Sequence, residues 1–211
     1  MSLILRYMRL SDIPQVTAID QLSFDPSWSA RSYQFEIGES NYSYMVVLEQ
    51  ALRATGDEKA RVGWRRLVPA LNGAAERLHV IGGYGGLWNI MGEAHVSTIA
   101  THPDYRRRGW GEILLAGMIR RGIRLEADYV VLEVRVSNYP AQHLYEKYGF
   151  KIVATKPKYY HSNNEDAYEM RLNLENRYYR AHFEERYARL VAQHGLIDQF
   201  TDSHCRRAKR D

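Results

Sequence analysis

The chain has one cysteine in 211 residues, Cys205, so it forms no internal disulfide and its composition fits a reducing compartment. No apolar run approaches the roughly 18 residues that a membrane span needs. The short apolar stretch from Met1 to Leu10 is interrupted by Arg6 and Arg9, which argues against a signal peptide. A soluble, cytoplasmic protein is expected. The histidines at 79, 95, 102, 143, 161, 182, 194 and 204 show neither H-E-x-x-H nor Cys/His ligand spacing, so no metal is expected. A G-x-S-x-G elbow is missing, which disfavours a serine hydrolase. Charge of either sign is in no great excess. The net value of +4 suits an anionic cofactor or partner, and direct nucleic-acid binding is not expected from it. With 45% hydrophobic and 26% charged residues the chain is not a disordered one, and its length suits one domain with an appendage.

Strand and helix patterns alternate along the chain, which predicts an α/β class. Strands are expected over Leu3–Met8, Tyr42–Glu49, Val80–Ile90, Ala94–Thr101 and Tyr129–Val136. A first helix opens at Ser11-Asp12-Ile13-Pro14, with Ser11 or Asp12 as its cap and Ile13, Val16, Ile19 and Leu22 as its apolar stripe. Further helices are expected over Ser29–Ile37, capped by Ser29, over Gly111–Leu125, and over Pro140–Tyr148, stopped by Gly149. Phe150–Tyr160 and Ala167–Leu174 form a hairpin around His161-Ser162-Asn163-Asn164. Gln50–His79 has no clear period and reads as an inserted loop with a short helix near Val68–Leu78. From Glu175 the chain turns polar. Tyr178–Ala192 reads as an amphipathic helix, packed on the domain or on a homodimer partner, before a basic end at Arg206–Arg210. The expected division is a domain over 1–174 and an extension over 175–211.

The most informative segment runs from Val96 to Gly111 into Glu112-Ile-Leu-Leu. A strand ends near Thr101, His102-Pro103-Asp104 turns, and Arg106-x-x-Gly109-x-Gly111 leads into a helix. A helix start exposes unpaired N–H groups and the positive end of the macrodipole. Gly109 and Gly111 leave the backbone open to a phosphate, and Arg106, Arg107 and Arg108 add charge. This predicts a phosphate or diphosphate site. It is not a P-loop, because no Gly-Lys-Ser/Thr follows, and it is not a G-x-G-x-x-G fingerprint. The cluster Gly82-Gly83-Tyr84-Gly85-Gly86 has no helix after it and is read as part of a strand.

With its preceding strand, the segment resembles the acetyl-CoA motif of the GNAT acetyltransferases, Q/R-x-x-G-x-G/A. Leu132-Glu133-Val134-Arg135-Val136-Ser137-Asn138, then Ala141-x-x-Leu144-Tyr145-x-x-Tyr148-Gly149-Phe150, with Tyr159-Tyr160 and Glu165-Asp166-Ala167, is similar to the RimI-type ribosomal-protein-alanine N-acetyltransferases. The resemblance covers roughly residues 3 to 174. It implies a mixed central sheet that splays open at an acetyl-CoA site, with helices on both faces. It implies backbone contacts from Ile99, Ala100 and Thr101 to the pantetheine arm. The diphosphate would lie on the segment from Arg106, Arg107 and Arg108 through Gly109, Trp110 and Gly111, and Asn138 near the thiol. It also implies transfer of acetyl to a protein N-terminus, that of a small-subunit ribosomal protein.

Glu133 is conspicuous on the residues alone, because a carboxylate in the apolar strand Val130–Val136 is costly unless paired or used. A structural pair, for instance with a neighbouring-strand arginine, is one reading; the resemblance implies a general base acting through a water. Tyr145 packs in the core or, as the resemblance implies, gives a proton to the departing thiolate. Tyr159 and Tyr160 would line a peptide groove, and Glu165 and Asp166 would meet a basic substrate or form a solvated turn. An α-amine, with a pKa of about 7.7–8, is neutral at pH 7 far more often than a lysine at about 10.4. This favours a protein N-terminus over two alternatives: an acetyltransferase for lysine or a small amine, and a non-catalytic CoA-binding or RNA-associated module.

Overall fold

The computed structural model describes residues 3–51 and 79–201. Most of the expected insertion, its short helix and the basic end fall outside the described residues. In chain order the elements are β1 (Leu3–Tyr7), α1 (Ile13–Gln21), α2 (Ala30–Gly38), β2 (Ser43–Ala51), β3 (His79–Ile90), β4 (Glu93–Thr101) and α3 (Trp110–Arg124). They continue with β5 (Tyr129–Arg135), α4 (Tyr139–Lys147), β6 (Lys151–Tyr160), β7 (Glu165–Asn173), α5 (Arg177–His194) and β8 (Leu196–Asp198). The strands make one mixed sheet in the order β6-β7-β5-β4-β3-β2-β1-β8.

Alternation along β3 places helices on both faces of this sheet. Tyr84 points to α1 and α2, where its hydroxyl and that of Tyr33 both donate to Asp20. Its neighbours Gly83 and Gly85 face α3. A Cβ added there would stand 2.9 Å from Leu114 Cδ1 and 3.0 Å from Met118 Cε, and one at Gly82 would stand 1.7 Å from the Trp110 ring. The glycine cluster thus serves packing: a helix lies so close to β3 that side chains would exclude it.

The sheet comes apart in its middle. β4 and β5 run parallel and pair only at Glu93↔Tyr129, Ala94↔Val130 and His95↔Val131. Immediately after, Ser97 is an extra residue, since Thr98 pairs with Gly86 and Val96 with Leu87. Such a bulge bends its strand, and β4 and β5 diverge from that point. This is the splay that the resemblance implies.

Three details differ from the sequence reading. Neither Ser11 nor Asp12 caps α1 through its side chain. Leu10–Asp12 forms a 3-10 turn, and the Asp12 carboxylate accepts from the buried Arg6 guanidinium (2.7 Å) and from Arg9 N (2.7 Å). Leu22 lies beyond the end of α1 and is exposed, because the chain turns there with Ser23 N and Phe24 N bonded to Asp20 O. The chain also adds a strand beyond α5: β8 pairs parallel with β1 through Leu3↔Leu196. α5 carries a ladder of rings at i, i+4 spacing, Tyr179, Phe183 and Tyr187, each about 6.1 Å from the next. Phe183 and Tyr187 are buried, and the Tyr179 hydroxyl donates to Tyr148 O (2.9 Å).

Candidate active site

The strand end, turn and helix start that the spacing predicts are present, and they form a cradle before α3. Its N-cap is Gly109, left-handed with φ 79°, and no side chain caps the helix. Arg107 is also left-handed, at φ 62°. Two such residues so close together curl the loop, and left-handed residues of this kind are a component of backbone anion-binding nests. The amides at the start of the helix therefore have no side-chain acceptor of their own. A Cβ on Gly111 would find only Thr101 Oγ1, at 3.5 Å. Arg106, Arg107 and Arg108 are exposed. Arg106 Nε donates to Thr101 O (3.2 Å), and the Arg108 guanidinium lies 5.3 Å from the Tyr105 ring centre. The Trp110 side chain is buried and stacked on Tyr105 at 4.4 Å, so Trp110 has only its main chain to offer a phosphate. Glu112, a carboxylate in the same first turn, would repel an anion. Instead it accepts from Lys147 (2.8 Å) and the Tyr148 hydroxyl (2.9 Å), with Arg186 at 3.6 Å. Burial would raise its pKa, but these partners outweigh burial and hold it below the usual carboxylate range.

From the cradle, the free edge of β4 leads into the splay. His102 N bonds Gly82 O, which makes that pair and every second pair along the antiparallel β3–β4 ladder a hydrogen-bonded one. The amide and carbonyl of Ala100 therefore face Tyr84. Those of Ile99 and Thr101 face the gap, and can bond an extended amide-bearing chain as a missing strand would. A cavity of about 250 Å³ occupies the gap; its walls include Ile99, Glu133, Asn138, Tyr145, Tyr159 and Tyr160, with Trp28 from the α1–α2 loop.

The cavity wall also carries a titratable cluster. Glu133 Oε2 bonds His95 Nε2 (2.7 Å), and Oε1 bonds Lys156 Nζ (2.5 Å). Lys156 also meets Glu169 at 3.0 Å. The carboxylate thus forms a structural pair with a lysine and a histidine, and no arginine is among its partners in the described residues. Burial would raise its pKa, yet the bonds from His95 and Lys156 prevail and hold it at about 2. In the unfolded chain it would titrate near 4.3. The folded value is the lower, so this stabilisation is complete above that pH and is lost as pH falls toward 2. Glu133→Gln is expected to remove roughly 2 kcal/mol at neutral pH and to flatten the acid limb of stability, read as urea midpoints between about pH 5 and pH 2.5.

Tyr145 is buried on α4 with its ring 5.8 Å from that of Phe150, and burial raises its pKa, so it is a neutral phenol at physiological pH. Asn138 caps α4 with its side-chain oxygen on Ala141 N (3.3 Å), which leaves its amide NH2 as a donor at the cavity wall. Tyr159 and Tyr160 meet edge to face at 5.2 Å, with the Arg135 guanidinium 3.8 Å from the Tyr160 ring centre. Burial raises the Tyr160 hydroxyl to about 12. Glu165 and Asp166 are engaged by the protein itself. Glu165 accepts from Ser137 N (3.0 Å), the Ser137 hydroxyl and Arg135 (2.9 Å), and the Ser137 hydroxyl leads the contacts that hold it at about 2. Asp166 accepts from Lys158 N (2.8 Å). Both shape the β6–β7 hairpin.

Sequence reasoning missed His95, Lys156 and Asp20. Asp20 is buried in the cavity wall, accepting from Tyr33 (2.8 Å), Tyr84 and Trp28 N (2.6 Å). Only register shows that His95 sits opposite β5 at the last pair before the splay, and only sheet order shows that Lys156 reaches Glu133 across β7. Among the described residues no cluster of three His, Cys, Asp or Glu could hold a metal, and no helix is long and apolar enough to cross a membrane.

Compared with known proteins, residues 13–150 match the acetyltransferase (GNAT) family. A Bacillus subtilis protein assigned as a ribosomal-protein-bS18-alanine N-acetyltransferase is 32% identical over 162 residues, covering 77% of this chain and 89% of that protein. The ribosomal-protein-S18-alanine N-acetyltransferase of Escherichia coli superposes with a TM-score of 0.61 at 24% identity, over 82% of this chain and 95% of that one. Arabidopsis thaliana NAA60 in complex with acetyl-CoA superposes at 0.65 with 14% identity, over 82% and 99%. These two structures share the fold.

Proposed function

Because the chain belongs to the acetyltransferase (GNAT) family, we propose that it transfers acetyl from acetyl-CoA to the α-amine of a protein N-terminus, the N-terminal alanine of a small-subunit ribosomal protein. One observation supports this most strongly: β4, which pairs with β5 only at its start, borders a cavity with Glu133 and Tyr145 and runs on into the uncapped turn at the start of α3. The residues fit acetyl-CoA. The uncapped α3 amides suit a diphosphate, and the gap-facing main-chain groups of Ile99 suit the pantetheine amides, with the amide of Thr101 beside them and its carbonyl held by Arg106. The choice of amine follows the Bacillus relative and the greater neutral fraction of an α-amine. In this reading residues 1–174 form the transferase domain and 175–211 its extension.

Bound acetyl-CoA supplies the thioester carbonyl that the amine attacks and the thiol that leaves. The chain's residues orient the partners and move the protons. Glu133, ionised throughout the physiological range, draws the α-ammonium to the gap and accepts its proton through a water. With both oxygens bonded and its pKa low it is a weak base, so it relays the proton to solvent and does not hold it. The Tyr145 hydroxyl protonates the departing sulfur as the C–N bond forms and the C–S bond breaks, and the second proton leaving the nitrogen restores the phenol. Asn138 positions the thiol end, and Tyr159 and Tyr160 form the wall along which the peptide enters. Tyr145→Phe is expected to lower kcat about 100-fold with peptide KM changed less than about threefold, measured by CoA release.

The test of the assignment is acetylation of three acceptors by the full chain: an Ala-starting peptide, the same peptide with a blocked N-terminus and an internal lysine, and spermidine. Modification of the first alone is expected. Modification confined to the lysine or to the polyamine would overturn the choice of amine.

A further inference from the structure

The extension reaches the cradle from the other side. α5 ends at His194, and Gly195, left-handed at φ 56°, turns the chain into β8. The corner is firmly held. Arg120 of α3 meets Glu184 (3.0 Å) and Asp198 (3.2 Å), with its guanidinium 4.6 Å from the Tyr187 ring centre. The Tyr187 hydroxyl donates to Asp198 (2.8 Å), and Gln199 N to Leu5 O (2.8 Å). The end of α5 is thus fixed both to α3 and to the sheet. It delivers the half-buried imidazole of His194 to the N-cap of α3: Cε1 and Nε2 each lie 3.1 Å from where a Cβ on Gly109 would stand. The only carboxylate in the first turn of α3, Glu112, is already matched by Lys147, Tyr148 and Arg186.

We propose that His194 is a ligand of the phosphate groups of coenzyme A, donating a hydrogen bond from its imidazole to a phosphate oxygen beside the amides of Trp110 and Gly111. The extension then completes the cofactor site. This also gives a second reason for glycine at 109: besides the left-handed backbone, the space of a side chain is taken by the imidazole. The inference rests on acetyl-CoA being the cofactor.

Calorimetry of the full chain with coenzyme A tests it, comparing wild type, His194→Ala and His194→Gln. A hydrogen bond to a charged oxygen predicts about tenfold weaker binding for the alanine variant, with part of the loss restored by glutamine, whose amide also donates. S-acetylpantetheine, which carries no phosphate, is expected to compete equally well with all three proteins. With dephospho-CoA, a tenfold loss that persists assigns His194 to the diphosphate, and one that vanishes assigns it to the 3′-phosphate; either supports the inference. Wild type and alanine variant binding within twofold of one another, or tighter binding by the variant, overturns it. Equal loss for S-acetylpantetheine also overturns it. Failure of wild type to bind coenzyme A overturns the cofactor reading instead.

Discussion

Glu133→Gln is expected to lower kcat/KM on an Ala-starting peptide by about 100-fold or more. Acetyl-CoA affinity should change less than about threefold, because the carboxylate is bonded to His95 and Lys156 and not to the turn at the start of α3. The two readouts separate chemistry from packing. Glu133 holds His95 and Lys156 by one oxygen each, and glutamine keeps the shape but loses the charge and one acceptor. If Glu133 only joined three strands, the variant would be less stable yet turn over normally when folded. Undiminished turnover at a temperature where circular dichroism shows native structure would remove Glu133 from the mechanism.

The second large effect is expected far from any reacting group. Gly82→Ala places a Cβ 1.7 Å from Trp110 Cζ3 and 2.4 Å from Cε3. The indole is 4% exposed and stacked on Tyr105, so it has no free space to swing into. Because Trp110 is the first residue of α3, displacing its ring shifts the turn whose amides are proposed to bind the phosphates. A loss of about 3 kcal/mol in urea unfolding is expected, together with at least tenfold weaker coenzyme A binding. Unchanged stability and affinity would show that the close approach of β3 and α3 does not position the cradle.

These cases show what could be read from the residues. The uncapped turn into α3 was legible because its determinants are local: a strand end, a turn, two glycines and a helix start lie within about a dozen residues, and backbone geometry there needs no partner from elsewhere. The Ser29 cap was legible for the same reason, and its hydroxyl oxygen accepts from Ser32 N at 3.1 Å. Glu133 stood out because an isolated carboxylate in an apolar strand has few uses. Its partners were not legible. Lys156 reaches it from β6 across β7, and His95 from the other side, so both depend on the strand order. The place where the sheet parts depends on a bulge at Ser97, which no composition rule marks. Leu22 fitted the helical period but lay one residue past the end of α1, where tertiary turn bonds decide the path. β8 is three residues long, too short to carry a periodic signal, and exists because β1 offers a free edge. The acidic pair Glu165-Asp166 was conspicuous as charge, but the hairpin uses that charge to bind its own amides, Ser137 and Arg135.

A crystal structure of the full chain with a conjugate of coenzyme A and an Ala-starting peptide tests the central claim most directly. The account predicts the diphosphate on the amides of Trp110 and Gly111, the pantetheine arm along Ile99 and Thr101 as a strand between β4 and β5, and the peptide nitrogen beside Glu133 with sulfur near the Tyr145 hydroxyl. A conjugate seated outside the β4–β5 gap, or one whose peptide end points away from Glu133, would contradict it.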